Sequence, residues 1–177
     1  MSDAHANPRA LETALADAEK FDCGKYVLLG DVTGYGYDVK TTLKMVREKF
    51  DIVLMGNHDS ACVGLEPAWE VMAVSNYDKG KFRTKFEKRF MTPATEPESV
   101  SFKLKDGSRY IVNVGSVGYP RNDLCCSYGI YDTEKKAVTI RRLPFDFKSY
   151  IMEMLARKIN LPMWLCEILM AASGKSH

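Results

Sequence analysis

The sequence predicts an α/β fold, a two-sheet β-sandwich flanked by helices. In the first third, short continuous apolar runs at 26–29 and 52–55 alternate with segments of helical spacing. Runs of this length suit strands buried on both faces, and such alternation builds a parallel sheet covered by helices. From about residue 100 the pattern changes to apolar–polar alternation punctuated by turn residues, which predicts antiparallel hairpins.

Asn7-Pro8 reads as an N-cap followed by proline at the first helical position. Leu11, Ala14, Leu15 and Ala18 then follow helical spacing, so a helix is expected over about 8–20. Asp38 can cap the next helix, with Leu43, Val46 and Phe50 on its buried side. Within 66–92, helix is expected around 68–74 and 82–90. The stretch 100–104, the turn signal Asp106-Gly107 and the return over 110–114 read as one hairpin. A second hairpin is expected from 127–131 and 138–143, turning at 133–136, and helices follow at about 147–158 and 162–172.

A chain of 177 residues suits a single domain over 1–177. With 46% apolar and 27% charged residues it is globular in composition, which excludes a disordered chain. A net charge of +2 gives no global attraction to nucleic acid or membrane. The basic–aromatic run 79–90 reads better as a solvated helix with Phe82, Phe86 and Phe90 on one face than as a nucleic-acid surface. The five cysteines are odd in number and form no C-x-x-C pair, so reduced thiols and a cytoplasmic location are expected. No signal peptide is expected, and the longest apolar stretch, about 161–172, is too short to span a bilayer. Met163, Trp164, Leu165, Ile168 and Leu169 are expected in the core or at a contact between copies, which makes a homo-oligomer a candidate state.

The chemistry-bearing residues cluster just after the apolar runs. Asp3 and His5 lead into the first helix, Asp31 follows 26–29, and Asn57 and His58 follow 52–55. Parallel sheets collect ligands at the carboxyl ends of their strands, so these residues are expected at a common point. A carboxylate such as Asp31 can bridge two divalent ions, which polarise a phosphoryl oxygen and lower the pKa of a bound water. His58 can protonate a leaving oxygen or stabilise phosphoryl charge. His and Asp ligands suit Mn, Fe, Zn or Ni. Gly34-Tyr35-Gly36 lacks the spacing and lysine of a P-loop and reads as turn chemistry.

Four segments carry a resemblance: S-D-A-H-A-N at 2–7, G-D-V-T-G-Y-G at 30–36, G-N-H-D at 56–59 and N-V-G-S-V-G-Y-P-R at 113–121. In this order they resemble the calcineurin-like metallophosphoesterases, in particular the small bacterial and archaeal phosphodiesterase branch. The resemblance implies a metal-dependent phosphodiesterase or phosphomonoesterase with two divalent ions and in-line attack of metal-bound hydroxide on a small phosphoester or nucleotide. It implies Asp3 and His5 on one metal, Asp31 as the bridge and Asn57 on the second. His58 would be the catalytic group and, with Asn57, would contact substrate. Arg121 would contact phosphate or fix its own turn, while Asn113 and Ser116 would be structural.

The chain also departs from that family. Only Met1 precedes Ser2 where the family has a buried strand, so that strand is expected to be absent or truncated. Of the three histidines, His5, His58 and His177, none lies in 59–176, where the family carries further metal ligands. A block of several tens of residues is expected to be missing around 77–100. These departures set up the alternative, a catalytically impaired scaffold or binding protein on the same fold.

Overall fold

The computed structural model describes residues 1–65, 95–119 and 125–161. It divides into two compact units, Met1–Phe145 and Asp146–His177.

In the first unit, helix α1 spans Pro8–Ala18, and the Asn7 side chain accepts from the Ala10 N–H as its N-cap. Leu11, Ala14, Leu15 and Ala18 all face the core, as their spacing predicted. A 3₁₀ turn at Glu19–Phe21 leads to strand β1, Val27–Leu28. Helix α2, Val39–Lys49, is capped by the Asp38 side chain, which accepts from the Thr41 N–H. Its buried face is Thr42 and Val46, whereas Leu43 is 37% exposed, so the expected face is rotated by one position. A threonine can take that face because its hydroxyl donates to the Asp38 carbonyl at 2.8 Å and is thereby satisfied.

Strand β2, Ile52–Val53, pairs in parallel with β1 in the register Val27↔Ile52. The expected burial on both faces does not hold. Leu28 is fully buried, but Leu29, Ile52, Val53, Leu54 and Met55 are exposed. The reason is pairing: among the described residues β2 neighbours β1 alone, and an edge strand keeps one flank open. Helix α3, Asn57–Cys62, follows directly.

The second sheet is antiparallel, in the order β3–β5–β4, with β3 at Glu98–Lys103, β4 at Cys125–Asp132 and β5 at Ala137–Pro144. The β4–β5 hairpin forms as expected. The hairpin expected from 100–104 and 110–114 does not. Strand β3 pairs instead with β5, Val100 opposite Ile140, and 110–114 forms no strand. Alternation specifies which face of a strand is apolar and leaves its partner open. Tyr128 on β4, Leu143 on β5 and Leu11 on α1 share one apolar cluster with Leu28 and Val117.

Residues 1–3 join the two halves of this unit. Leu29 N–H donates to the Met1 carbonyl at 2.9 Å and Asp3 N–H to the Gly30 carbonyl at 3.1 Å. On the other side Val117 N–H donates to Ser2 at 3.0 Å and Gly118 N–H to Asp3 at 2.8 Å. Residues 1–3 thus pair by backbone hydrogen bonds on both sides without forming a strand of either sheet.

In the second unit, helix α4 spans Phe147–Ala156 and is capped by Asp146, which accepts from the Ser149 N–H at 2.9 Å. Phe147, Tyr150, Ile151 and Met154 are its buried positions, at helical spacing. The helices expected at 68–74, 82–90 and 162–172 lie outside the described residues, as do the aromatic run 79–90, the apolar cluster 163–169, Arg121 and His177.

Candidate metal centre

Three loops meet at the carboxyl ends of β1 and β2. The first carries Asp3 and His5, the second Asp31, and the third the start of α3 with Asn57 and His58. One ligand atom from each of His5, Asp31 and His58 lies within 4.8 Å of the others. Asp3 Oδ1 lies 3.2 Å from His5 Nε2, at the margin of that group. Asn57 is the first residue of α3, directly before His58.

The loops are bent to make this meeting. Asp3, His5, Ala6 and Asp31 all have positive φ, between 47° and 58°, although none is glycine. Such backbone costs about 1–3 kcal/mol per residue and persists where the surroundings enforce it. Here the surroundings are backbone hydrogen bonds from His5 N–H to the Asp31 carbonyl at 2.9 Å and from Ala6 N–H to that of Val32 at 2.8 Å.

The tautomer of His5 follows from its contacts. Its Nδ1 lies 3.0 Å from the Thr33 carbonyl, which can only accept, so Nδ1 carries the proton. Nε2 is then the nitrogen turned to the site. It is fully buried, has no hydrogen-bond partner among the described residues, and faces the Asp3 carboxylate. A buried nitrogen facing a carboxylate is satisfied by a proton shared between them or by a cation bound to both. A carbonyl holding the far nitrogen is also how proteins orient a metal-ligating imidazole. The donor set of two imidazoles and two carboxylates therefore fits a divalent transition ion.

Asp31 is buried and accepts at Oδ1 from the His58 N–H at 2.9 Å, which couples the second and third loops. Gly56 is needed there, because a Cβ at that position would collide with Asp31 Oδ1.

Asp59 has a role that the sequence reading missed. Its carboxylate accepts from Val32 N–H at 3.2 Å, Thr33 N–H at 2.9 Å, the Thr33 hydroxyl at 2.9 Å and Gly56 N–H at 3.0 Å. Burial alone would raise its pKa, but these donors outweigh burial and hold it below the usual carboxylate range. Asp59 clasps the Asp31 loop to the Gly56 loop. The available signal was its place at the third position of a helix, where an acid reaches back to the cap N–H.

The 113–119 segment is tied down by hydrogen bonds. Asn113 accepts from Gly115 N–H at 2.9 Å, the Ser116 hydroxyl donates to the Asp3 carbonyl at 3.3 Å, and Asn7 Nδ2 donates to the Gly118 carbonyl at 2.9 Å. These bonds anchor the loop carrying Asp3 and His5.

Fold and site together place this candidate metal centre on an α/β sandwich. The model of the calcineurin-like phosphoesterases matches residues 1–163, and the chain belongs to that family. An uncharacterized protein of Methanocaldococcus jannaschii is 24% identical over 231 aligned positions, covering 94% of each chain. The crystal structure of a metallophosphoesterase from Sphaerobacter thermophilus has the same fold, with a TM-score of 0.65, 22% identity and 96% coverage of both chains. No helix among the described residues is long and apolar enough to cross a membrane.

Proposed function

We propose that residues 1–177 form one metallophosphoesterase domain that hydrolyses a small phosphoester or nucleotide with two divalent ions. The observation that carries this reading is the buried, unbonded Nε2 of His5 beside Asp3, in a group with Asp31 and His58. Asp3 and His5 would hold one ion, Asp31 would bridge, and Asn57 would serve the second. When bound, such ions polarise a phosphoryl oxygen and lower the pKa of a coordinated water. His58 stands at the same point on a helix start fixed by its N–H bond to Asp31, placed to donate a proton to a leaving oxygen. Asn57 and His58 would contact the substrate, and Arg121 its phosphate. The thiols Cys23, Cys62 and Cys126, free among the described residues, support a cytoplasmic setting.

The test is metal content and hydrolysis of bis-p-nitrophenyl phosphate, compared with p-nitrophenyl phosphate to separate diesterase from monoesterase, for the wild type and Asp31→Ala with Mn²⁺ added. Hydrolysis by the wild type, lost in Asp31→Ala, is expected. A wild type that takes up no ion and hydrolyses neither ester refutes the enzyme. That result would favour the second reading, an impaired scaffold, which rests on the absence of histidine from 59–176.

A further inference from the structure

The sequence motif Gly34-Tyr35-Gly36 has no part in the ligand set, yet its aromatic ring sits inside the centre. The Tyr35 ring lies 4.6 Å from that of His58 at 64° and 4.8 Å from that of His5 at 56°. The two imidazoles are 4.9 Å apart and nearly perpendicular. The fourth ring, Tyr119, is buried, stacks on Tyr35 at 4.3 Å and 21°, and meets His5 edge-on at 5.7 Å. Tilted and edge-to-face contacts at these distances are the favoured geometries of aromatic pairs, and they fix ring orientation as well as position.

The backbone leaves Tyr35 little freedom. Gly34 has φ +133°, a conformation that side chains rarely adopt, and a Cβ there would come within 2.5 Å of His5 Nδ1 and 3.2 Å of His58 Nδ1. Gly36 packs so closely on the carbonyls of His5 and Ala6 that a Cβ would collide with both, and its N–H donates to the His5 carbonyl at 2.8 Å. Both glycines are dictated by close approach to the histidine-bearing loops, and the residue between them is thereby pressed against both imidazoles. Tyr119 is held from the opposite side, its N–H donating to the Ser116 hydroxyl at 3.1 Å.

We propose that Tyr35, backed by Tyr119, is a positioning residue that clamps the imidazoles of His5 and His58 in the orientation the metal centre needs. This rests on the metal reading given above. The contacts in question are made by the ring. A site whose ligands are held before the ion arrives binds it more tightly, and loss of such support typically weakens metal affinity about 10–100-fold.

The test is Mn²⁺ affinity by calorimetric titration of the full chain, with thermal melts of the metal-free proteins and steady-state kinetics alongside. Tyr35→Phe should bind within about twofold of the wild type. Tyr35→Leu and Tyr35→Met keep apolar bulk without the ring, and either should bind about tenfold more weakly. Their kcat should fall with KM little changed, while the metal-free melting temperature moves far less than the affinity. Wild-type affinity in either folded variant, or a loss in Tyr35→Phe equal to that in Tyr35→Leu, overturns the clamp while leaving the metal centre standing. A wild type that binds neither Mn²⁺ nor Zn²⁺ removes the metal reading itself, and the clamp with it.

Discussion

The loops at residues 3–7, 30–36 and 56–59 and the sheet β3–β5–β4 are assembled on opposite principles. The sheet is regular. Its strands pair over six and eight residues, and its one charged group facing α1 is matched: Arg141 donates from Nε and Nη2 to the two oxygens of Asp17 at 2.8 and 2.9 Å, and the Tyr128 hydroxyl adds a third bond at 2.9 Å. The loops are irregular. They gather four non-glycine residues at positive φ, three carboxylates and two imidazoles, and leave the buried Nε2 of His5 without a hydrogen-bond partner among the described residues. The buried charge of Arg141 on the sheet is paired, whereas the buried Nε2 of His5 in the loops has no hydrogen-bond partner among the described residues, the pattern expected where a ligand binds.

The sharpest break of this contrast is Asp31→Ala. It removes the group common to all three loops, so hydrolysis and metal uptake should fall by about three orders of magnitude or more, comparable to losing a principal electrostatic group. Metal-free stability should fall by about 1–2 kcal/mol, because the His58 N–H bond is lost while alanine must hold the positive φ that aspartate tolerates better. A large fall in melting temperature would show that the loops are held for stability after all.

Asp17→Ala should give the opposite pattern. It strands the Arg141 guanidinium in a largely buried position, at a cost of about 3–5 kcal/mol, with activity per folded molecule unchanged. The same pair predicts a pH dependence. Burial raises the pKa of Asp17, but hydrogen bonds from Arg141, Tyr128 and Lys20 and the charge of Arg141 outweigh it, and the pKa lies below its ordinary value. A carboxyl with a lowered folded-state pKa stabilises above its unfolded pKa, about 3.9, and loses that contribution as pH falls through the folded value. Urea melts from pH 6 downward should therefore show a loss beginning near pH 4 in the wild type that is blunted in Asp17→Asn.

Asp59→Asn sits between the two regimes. It keeps the shape of the clasp but weakens its four bonds by removing the charge and presenting a donor to Val32 and Gly56 N–H groups. About 2 kcal/mol of stability should be lost together with several-fold in Mn²⁺ affinity, measured on the same preparation.

How much of this was legible follows the same division. Helix α1 could be read to its cap because the information is local: Asn7, Pro8 and four apolar residues at helical spacing. The loop residues could be placed because Asp31 and His58 each follow an apolar run, and the register of a parallel pair then brings them together. What could not be read depends on partners distant in sequence. Asp17 and Arg141 are 124 residues apart, and nothing in either neighbourhood names the other. Strand β3 carries a turn signal directly after it and still pairs with β5 across the intervening chain. The exposure of Ile52–Met55 depends on what flanks β2, a matter of neighbours rather than of those four residues.

The smallest expected effect comes from a matched pair of hydroxyl deletions. The Thr33 hydroxyl in the loops bonds Asp59 at 2.9 Å, and the Thr139 hydroxyl in β5 bonds Ser101 at 2.7 Å. The Thr139 contact is solvent-exposed and neutral on both sides, and valine favours a strand as much as threonine does. Thr139→Val should therefore shift stability by no more than about 0.5 kcal/mol and leave Mn²⁺ affinity untouched. The Thr33 hydroxyl serves a carboxylate and also accepts from the Cys62 thiol at 3.3 Å, while the Thr33 backbone holds the Nδ1 proton of His5. Thr33→Val should cost about 1–2 kcal/mol and weaken Mn²⁺ binding, because a slackened Asp59 clasp lets the His5 carbonyl anchor move. Equal effects of the two substitutions on metal affinity would mean that the clasp does not reach the histidine, and that the loops owe their geometry to backbone pairing alone.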